Sequence, residues 1–441
     1  MASDLTRIRS KASSEPKLRF TSLYHHVKDL ERLRSCYEQI EPGAAPGVDG
    51  VTKDKYGEEL ESNLGDLAER LGRMGYRPQP ARRAYIAKAG SNKKRPLGMP
   101  TVEDKVVQTA VTRVLSEIYE ADFLECSFGY RPGRGCHDAL GALGRTIQQK
   151  KVNWIVEADI RGFFDQVNHE WLIKFLELRI GDPRMIRLIW RMLKSGVMED
   201  GLMRASEEGT PQGAILSPLL SNVYLHYVLD LWFERRFRGQ CKGEAYLFRY
   251  ADDFVVCFQY REEAERFMTD LKERLEQFRL EVEASKTKLL RFGRFARHNG
   301  DGEPETFDFL GFTHHCGQTR AGSFKLQRRT STKKLRAKLR DIKDWIRRTR
   351  HQVKAGLLLR QAKRRLQGHL NYYAVTDNRR LCQSFRYQFE LLLFKWLNRR
   401  SQRGSYTWEQ FGRALGWVGW PSVRLRRHRA PRHHLVPVVR P

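Results

Sequence analysis

No run of apolar residues in this chain is long enough to cross a bilayer, so a helical membrane span is not expected. Cysteine is sparse and scattered. The seven thiols are Cys36, Cys126, Cys136, Cys241, Cys257, Cys316 and Cys382, odd in number and never spaced C-x-x-C. That argues against a disulfide framework or a zinc site and fits a reducing compartment. The N-terminal stretch is polar and carries no secretory apolar segment, so a cytoplasmic location is expected. Internal repeats and low-complexity tracts are also missing. Negative charge runs out towards the end: residues 328–400 hold 22 Lys or Arg against four acids (Asp341, Asp344, Asp377 and Glu390), and no acid follows Glu409.

What is there is positive charge on a foldable chain. Lys and Arg outnumber Asp and Glu by 81 to 52, a formal charge of +29, while 40% of the 441 residues are hydrophobic. That apolar share excludes wholesale disorder. The charge excess calls for a polyanion, because each neutralised phosphate releases counterions. An anionic membrane surface is the competing partner, and it needs an apolar anchor or a basic amphipathic face. The charge shift divides the chain into a mixed-charge body (1–327), a basic helical segment (328–400) and a basic extension (401–441).

Periodicity places the main elements. Behind Thr101 as N-cap, residues Val106, Val107, Ala110, Val111, Val114, Leu115 and Ile118 follow helical spacing. Residues 154–158 (WIVEA) read as a buried strand ending at Asp159. Residues 247–250 and 254–258 read as a hairpin around Ala251-Asp252-Asp253. Ala264, Phe267, Met268, Leu271, Leu275 and Phe278 mark one face of a helix. Residues 280–282 and 289–292 read as further strands, 215–231 as a helix opened by Gly209-Thr210-Pro211-Gln212-Gly213, and the chain beyond Ser331 as helical. The fold class is therefore α+β, a sheet backed by helices.

Two carboxylate positions are distinctive. Asp159 ends one apolar strand, and Asp252 with Asp253 tips an apolar hairpin. Each alone is an ordinary turn aspartate. Adjacent strand ends in one sheet put Asp159 beside Asp252, and like charges that close need a cation. Nucleotidyl transfer needs such a site, because it must activate a 3′ hydroxyl and neutralise a triphosphate.

Tyr250-Ala251-Asp252-Asp253 resembles the catalytic hairpin of reverse transcriptases of the group II intron type. Other blocks occur in that family's order. They are Pro46-Gly47-Val48-Asp49-Gly50, Lys93 to Gln108, Phe128-Gly129-Tyr130-Arg131-Pro132-Gly133-Arg134, the Asp159 block, the Gly209 block with Ser217-Pro218-Leu219, Ser285-Lys286-Thr287-Lys288, Phe309-Leu310-Gly311-Phe312 and Leu370-Asn371-Tyr372-Tyr373. The likeness covers roughly residues 24 to 420.

It implies a right-hand polymerase, with fingers and palm in 1–327 and a thumb or maturase (X) domain in 328–400. The activity implied is RNA-directed DNA polymerisation with intron maturase function, in splicing and mobility of a genetic element. Implied partners are an RNA template, a DNA primer, dNTPs and group II intron RNA. Two Mg²⁺ ions, or Mn²⁺, are implied at Asp159, Ile160, Asp252 and Asp253. Lys88 and Arg95 are implied as triphosphate contacts, Gln212 as a nucleotide contact, and Ile160, Phe163 and Phe164 as lining the nucleotide site. Phe164, by its offset from Asp159, is the expected barrier to a ribose 2′ hydroxyl. Lys286 is implied as general acid to the leaving pyrophosphate; a surface lysine is its plainer reading. Many relatives carry a zinc-bearing nuclease beyond the thumb, whereas the paired cysteines it needs are missing here, which suggests an endonuclease-lacking lineage. Two other readings stay open: a reverse transcriptase recruited to DNA repair or phage defence, and an RNA-binding splicing chaperone.

Overall fold

A computed structural model describes residues 3–87, 94–199, 202–204, 208–210, 213–296, 303–400 and 406–425. Lys88 and Gln212 lie outside the described residues. The chain forms two compact units, 1–87 with 93–300, and 301–441 together with 88–92.

In the first unit, strands β1 (Ala81–Ala87), β2 (Lys94–Met99), β4 (Val197–Glu199) and β5 (Leu202–Arg204) form one sheet in the order β2-β1-β4-β5. Strands β3 (Trp154–Ala158), β6 (Ala245–Tyr250), β7 (Asp253–Phe258) and β8 (Lys288–Arg291) form another in the order β6-β7-β3-β8. The second sheet follows from its sequence. β3, β6 and β7 are nearly continuous apolar runs; β7 and β3 form the centre of the sheet, and β6, at its edge, is still largely buried. The helix Arg261–Gln277 lays Ala264, Phe267, Leu271 and Leu275 into that core, as its spacing predicts. The helix Val102–Asp122 starts where expected, with the Thr101 side chain accepting from Asp104 N–H, and buries the whole predicted stripe.

Two expectations change. The helix read as 215–231 begins at Ser217, with Pro218 in its first turn, and passes into wider turns at His226–Asp230. Residues 280–282 make no strand; they contribute one isolated bridge, Val282 to Ile160. The chain turns at once at Glu283, whose carbonyl accepts from Lys286 N–H at 3.0 Å, so no second pair can form.

The second unit pairs strands β9 (Phe307–Phe309), β10 (Phe312–Gln318) and β11 (Phe324–Thr330) in the order β11-β10-β9. They are followed by the helices Thr332–Thr349, Ala355–Tyr373, Arg379–Leu397 and Trp408–Trp417. Ile342, Ile346, Leu358, Leu366, Phe385, Phe389 and Leu393 make its core. The Phe309-Leu310-Gly311-Phe312 block meets the Leu370-Asn371-Tyr372-Tyr373 block in this unit. The Tyr372 hydroxyl donates to Leu310 O at 2.8 Å, and Phe312 packs 5.1 Å from the Tyr373 ring. Most aromatics of this segment are engaged at home. Trp396 lies under Arg347, Arg350 and Arg399, and Trp345 under Arg365, with guanidinium-to-ring distances of 4.3–5.5 Å.

Candidate active site

Strand register decides which carboxylates meet. β3 and β7 run antiparallel, with Trp154 opposite Phe258 and Ala158 opposite Phe254. Asp159, one step further, comes level with Asp253. β6 and β7 close with Tyr250 opposite Asp253, so Ala251 and Asp252 form a two-residue loop. Tight loops of this kind need positive φ, and Ala251 has φ 57°.

From the other side the 281–286 segment crosses the end of β3. Arg161 N–H donates to Glu281 O at 2.9 Å and Glu283 N–H to Asp159 O at 2.8 Å. The turn that follows delivers the Lys286 ammonium onto the Asp159 carboxylate as an ion pair. Thus Asp159, Asp252, Asp253 and Lys286, from three separate stretches, share one end of one sheet.

Their electrostatics are those of a crowded anionic corner. Burial pushes the Asp252 carboxyl above its ordinary value, and the Asp159 charge pushes it further. Its own backbone N–H, Arg95 and Lys286 oppose that rise. The hydrogen bond to Asp159 raises Lys286, with Glu283 and Asp253 adding to it, so the ammonium stays charged. Among the described residues no set of three or more His, Cys, Asp or Glu side chains is gathered as a metal site. A hard divalent cation does not require one, since it commonly takes one or two carboxylates plus phosphate oxygens and water. The residues fit such an ion: two neighbouring carboxylates resist carrying charge together, and an ammonium already sits on one of them.

The flanking positions divide into core and cleft. The Ile160 side chain is buried, but the two bonds of its bridge come from Arg161 and Glu283, which leaves its own carbonyl outside that bridge. Phe163 is 2% exposed and packs on Tyr224, so its ring belongs to the core. Phe164 is only half-buried, and its carbonyl accepts from Thr210 N–H at 2.7 Å. Gly209 N–H bonds Val167 O at 2.8 Å, and buried His169 holds Gly209 O at 2.6 Å through Nε2. Gly209 and Thr210 are therefore pinned onto the Asp159 block. Arg95 lies exposed on β2, opposite Ile86, close enough to be felt at Asp252.

Three residues escaped the sequence reading. Tyr130, at φ 57° and 53% exposed, has its hydroxyl pushed up by burial and by Asp252, with Arg95 opposing. Only its place in the Phe128 block hinted at the site. Arg249 and Asp230 form an ion pair with both side chains 0% exposed. The available signal was a charge embedded in an apolar run, at 245–250 for one and 228–233 for the other.

The chain matches the family described as reverse transcriptase (RNA-dependent DNA polymerase) over residues 86–314, just over half its length. It is 39% identical over 231 residues to the group II intron-encoded protein LtrA of Lactococcus lactis subsp. cremoris, covering 52% of this chain and 38% of that protein. It is 32% identical over 281 residues to the protein YkfC of Escherichia coli K12, covering 57% of this chain and 74% of that one. A match of 26% identity to nuclear intron maturase 4, mitochondrial, of Arabidopsis thaliana covers 44% of this chain and 23% of the relative. The chain thus spans less than half the length of the intron-encoded protein it matches. No helix among the described residues is long and apolar enough to cross a membrane.

Proposed function

Because the chain belongs to the reverse transcriptase family, whose members use divalent metal ions, we propose that it is an RNA-directed DNA polymerase of the group II intron type with maturase activity. The observation that carries this is the β3–β7 register, which sets Asp159 level with Asp253 and beside Asp252, with Lys286 closing the corner. Its substrates are a DNA primer on an RNA template and the four dNTPs, and its wider partner is the parent intron RNA. Fingers and palm lie in 1–327, thumb and maturase functions in 328–400, and 401–441 adds a basic nucleic-acid-binding extension.

Asp159 and Asp252, with Asp253 and the Ile160 carbonyl beside them, would hold Mg²⁺, two ions when substrate is present, or Mn²⁺ in its place. When bound, that pair lowers the pKa of the primer hydroxyl and neutralises the triphosphate. The primer 3′ oxygen forms a bond to the α-phosphorus, the bond to pyrophosphate breaks, and the hydroxyl proton passes to solvent water. Lys286, kept charged beside Asp159, gives a proton from Nζ to the departing pyrophosphate. Arg95 and Lys88 clamp phosphate oxygens, Gln212 contacts the nucleotide, and the Phe164 ring sits against its sugar.

Primer extension on an RNA template tests the reading. Asp252→Asn should abolish cDNA synthesis while RNA affinity stays within about twofold, because one carboxylate among many phosphate contacts contributes little to binding. Equal loss of both activities, or undiminished extension, would overturn it.

A further inference from the structure

Behind the two-residue catalytic loop lies a buried charge with every donor used. The Arg249 guanidinium reaches Asp230 through Nε at 2.7 Å and Nη2 at 2.5 Å. Its Nη1 donates to Asn222 Oδ1 at 2.9 Å and to Ala251 O at 3.1 Å, and its Nη2 also donates to Ser127 Oγ at 2.8 Å. Four pieces of chain therefore converge on one fork: the helix Ser217–Leu225, the wider turns after it, the 126–129 loop and the catalytic hairpin itself.

The contacts continue around the loop. Asn222 Nδ2 donates to Gly129 O at 2.7 Å. Phe128 N–H bonds Arg249 O at 2.9 Å, and Arg249 N–H bonds Cys126 O at 2.8 Å. Gly129 lies so close to the loop that an added Cβ would stand 2.3 Å from Ala251 N. Ala251 carries the positive φ of this loop without being glycine, and a conformation of that sort persists only where its surroundings over-determine it. The bond from Arg249 to the Ala251 carbonyl fixes the peptide that leads directly into Asp252.

A buried charge pair is poor insurance for stability, because a well-packed apolar pair of similar volume often does as well. What it supplies is direction: a planar fork with five fixed donors. We infer that Arg249, held by Asp230 and Asn222, is a positioning residue that presets the Ala251–Asp252 peptide for nucleotide addition. The inference rests on the polymerase reading and goes beyond it. Arg249 touches neither metal nor substrate; it sets the angle at which Asp252 meets them.

The test is single-turnover dNTP addition on a preformed primer–template, using the full chain. Three variants are compared: Arg249→Lys, which keeps the charge but not the fork; Asn222→Ala, which removes one strut and leaves the ion pair; and Leu275→Ala, a core cavity in the helix packed on the same sheet. Amide exchange across 250–253 is followed alongside. For Arg249→Lys and Asn222→Ala the expected result is a fall in the maximal addition rate of roughly tenfold to a hundredfold, the scale of a misplacement of about 1 Å. The dissociation constants for dNTP and primer–template stay within about twofold, and exchange quickens at 250–253 alone. Leu275→Ala lowers the unfolding midpoint and leaves the addition rate intact. An unchanged rate in the first two variants overturns the inference, as does a loss in all three that tracks their unfolding midpoints. Should the unaltered chain add no nucleotide, the polymerase reading itself falls and takes the inference with it, an outcome distinct from the other two.

Discussion

At the scale of single residues, the site depends on a few atoms that cannot move. Gly129 is one. A methyl group there meets the backbone of Ala251 and Tyr250, not a side chain that can swing aside. Gly129→Ala should therefore displace the catalytic loop, abolish cDNA synthesis and lower stability by about 1–3 kcal/mol; primer extension and urea unfolding check both parts. The two phenylalanines after Asp159 separate in the same way. Phe163 fills the core, so Phe163→Ala should cost about 3–5 kcal/mol. Phe164 is half-buried at the site, so Phe164→Ala should leave stability less affected and raise ribonucleotide incorporation. Competition between dNTPs and rNTPs measures that choice, and unchanged sugar selectivity would remove Phe164 from the role.

Among the elements, the sequence was legible wherever one strand or helix buries its own apolar pattern. The 154–158 strand, the 247–258 hairpin, the Thr101 cap and the stripe of the Arg261–Gln277 helix all appear where periodicity placed them. Because Thr101 accepts from Asp104 N–H and also donates to the Asp104 carboxylate at 2.8 Å, Thr101→Ala should cost about 1–2 kcal/mol, read by urea denaturation. What stayed hidden was decided by partners far away in the chain. Residues 280–282 have strand composition, but a turn at Glu283 leaves them a single bridge. The packing of the 309–312 block against Tyr372 and Tyr373 had no signal in the spacing of either block. Arg249 in an apolar strand signalled a buried partner, yet nothing in the spacing named Asp230. Lys88, in the basic loop before Arg95, and Gln212, in the Gly209 block, lie outside the described residues.

For the whole molecule, charge and burial set how it responds to solvent. An excess of 29 positive charges, concentrated towards the end of the chain, should make RNA affinity fall steeply as salt rises. A filter-binding titration between 50 and 200 mM salt, on the order of the range over which counterion release shows clearly, checks the slope; a flat response would detach the charge from phosphate contacts. Acid acts by another route. Burial pushes His226 and His369 down to about 4 and His314 to about 3. The same histidines titrate near 6.5 when unfolded. Below about pH 6.5 these three histidines bind protons in the unfolded chain and not in the folded one, so they lower stability as pH drops from about 6.5 to about 4, whereas Asp104 and Asp122, pushed up to about 6 by burial, act the opposite way over the same range. The histidine share is read by difference: relative to the unaltered chain, His226→Phe should gain stability in urea as pH drops from about 6.5 to about 4, and an unchanged difference across that range would remove His226 from the effect.

The account turns on carboxylates from two distant strands sharing one cation. Fe²⁺ substituted for Mg²⁺ and activated with peroxide cuts backbone next to the ion it replaces. Cleavage should appear both at 159–160 and at 252–253, and Asp159→Asn should suppress both cuts together. Cleavage at only one of these stretches, or cuts that survive that substitution, would show that the two strands do not hold a common ion.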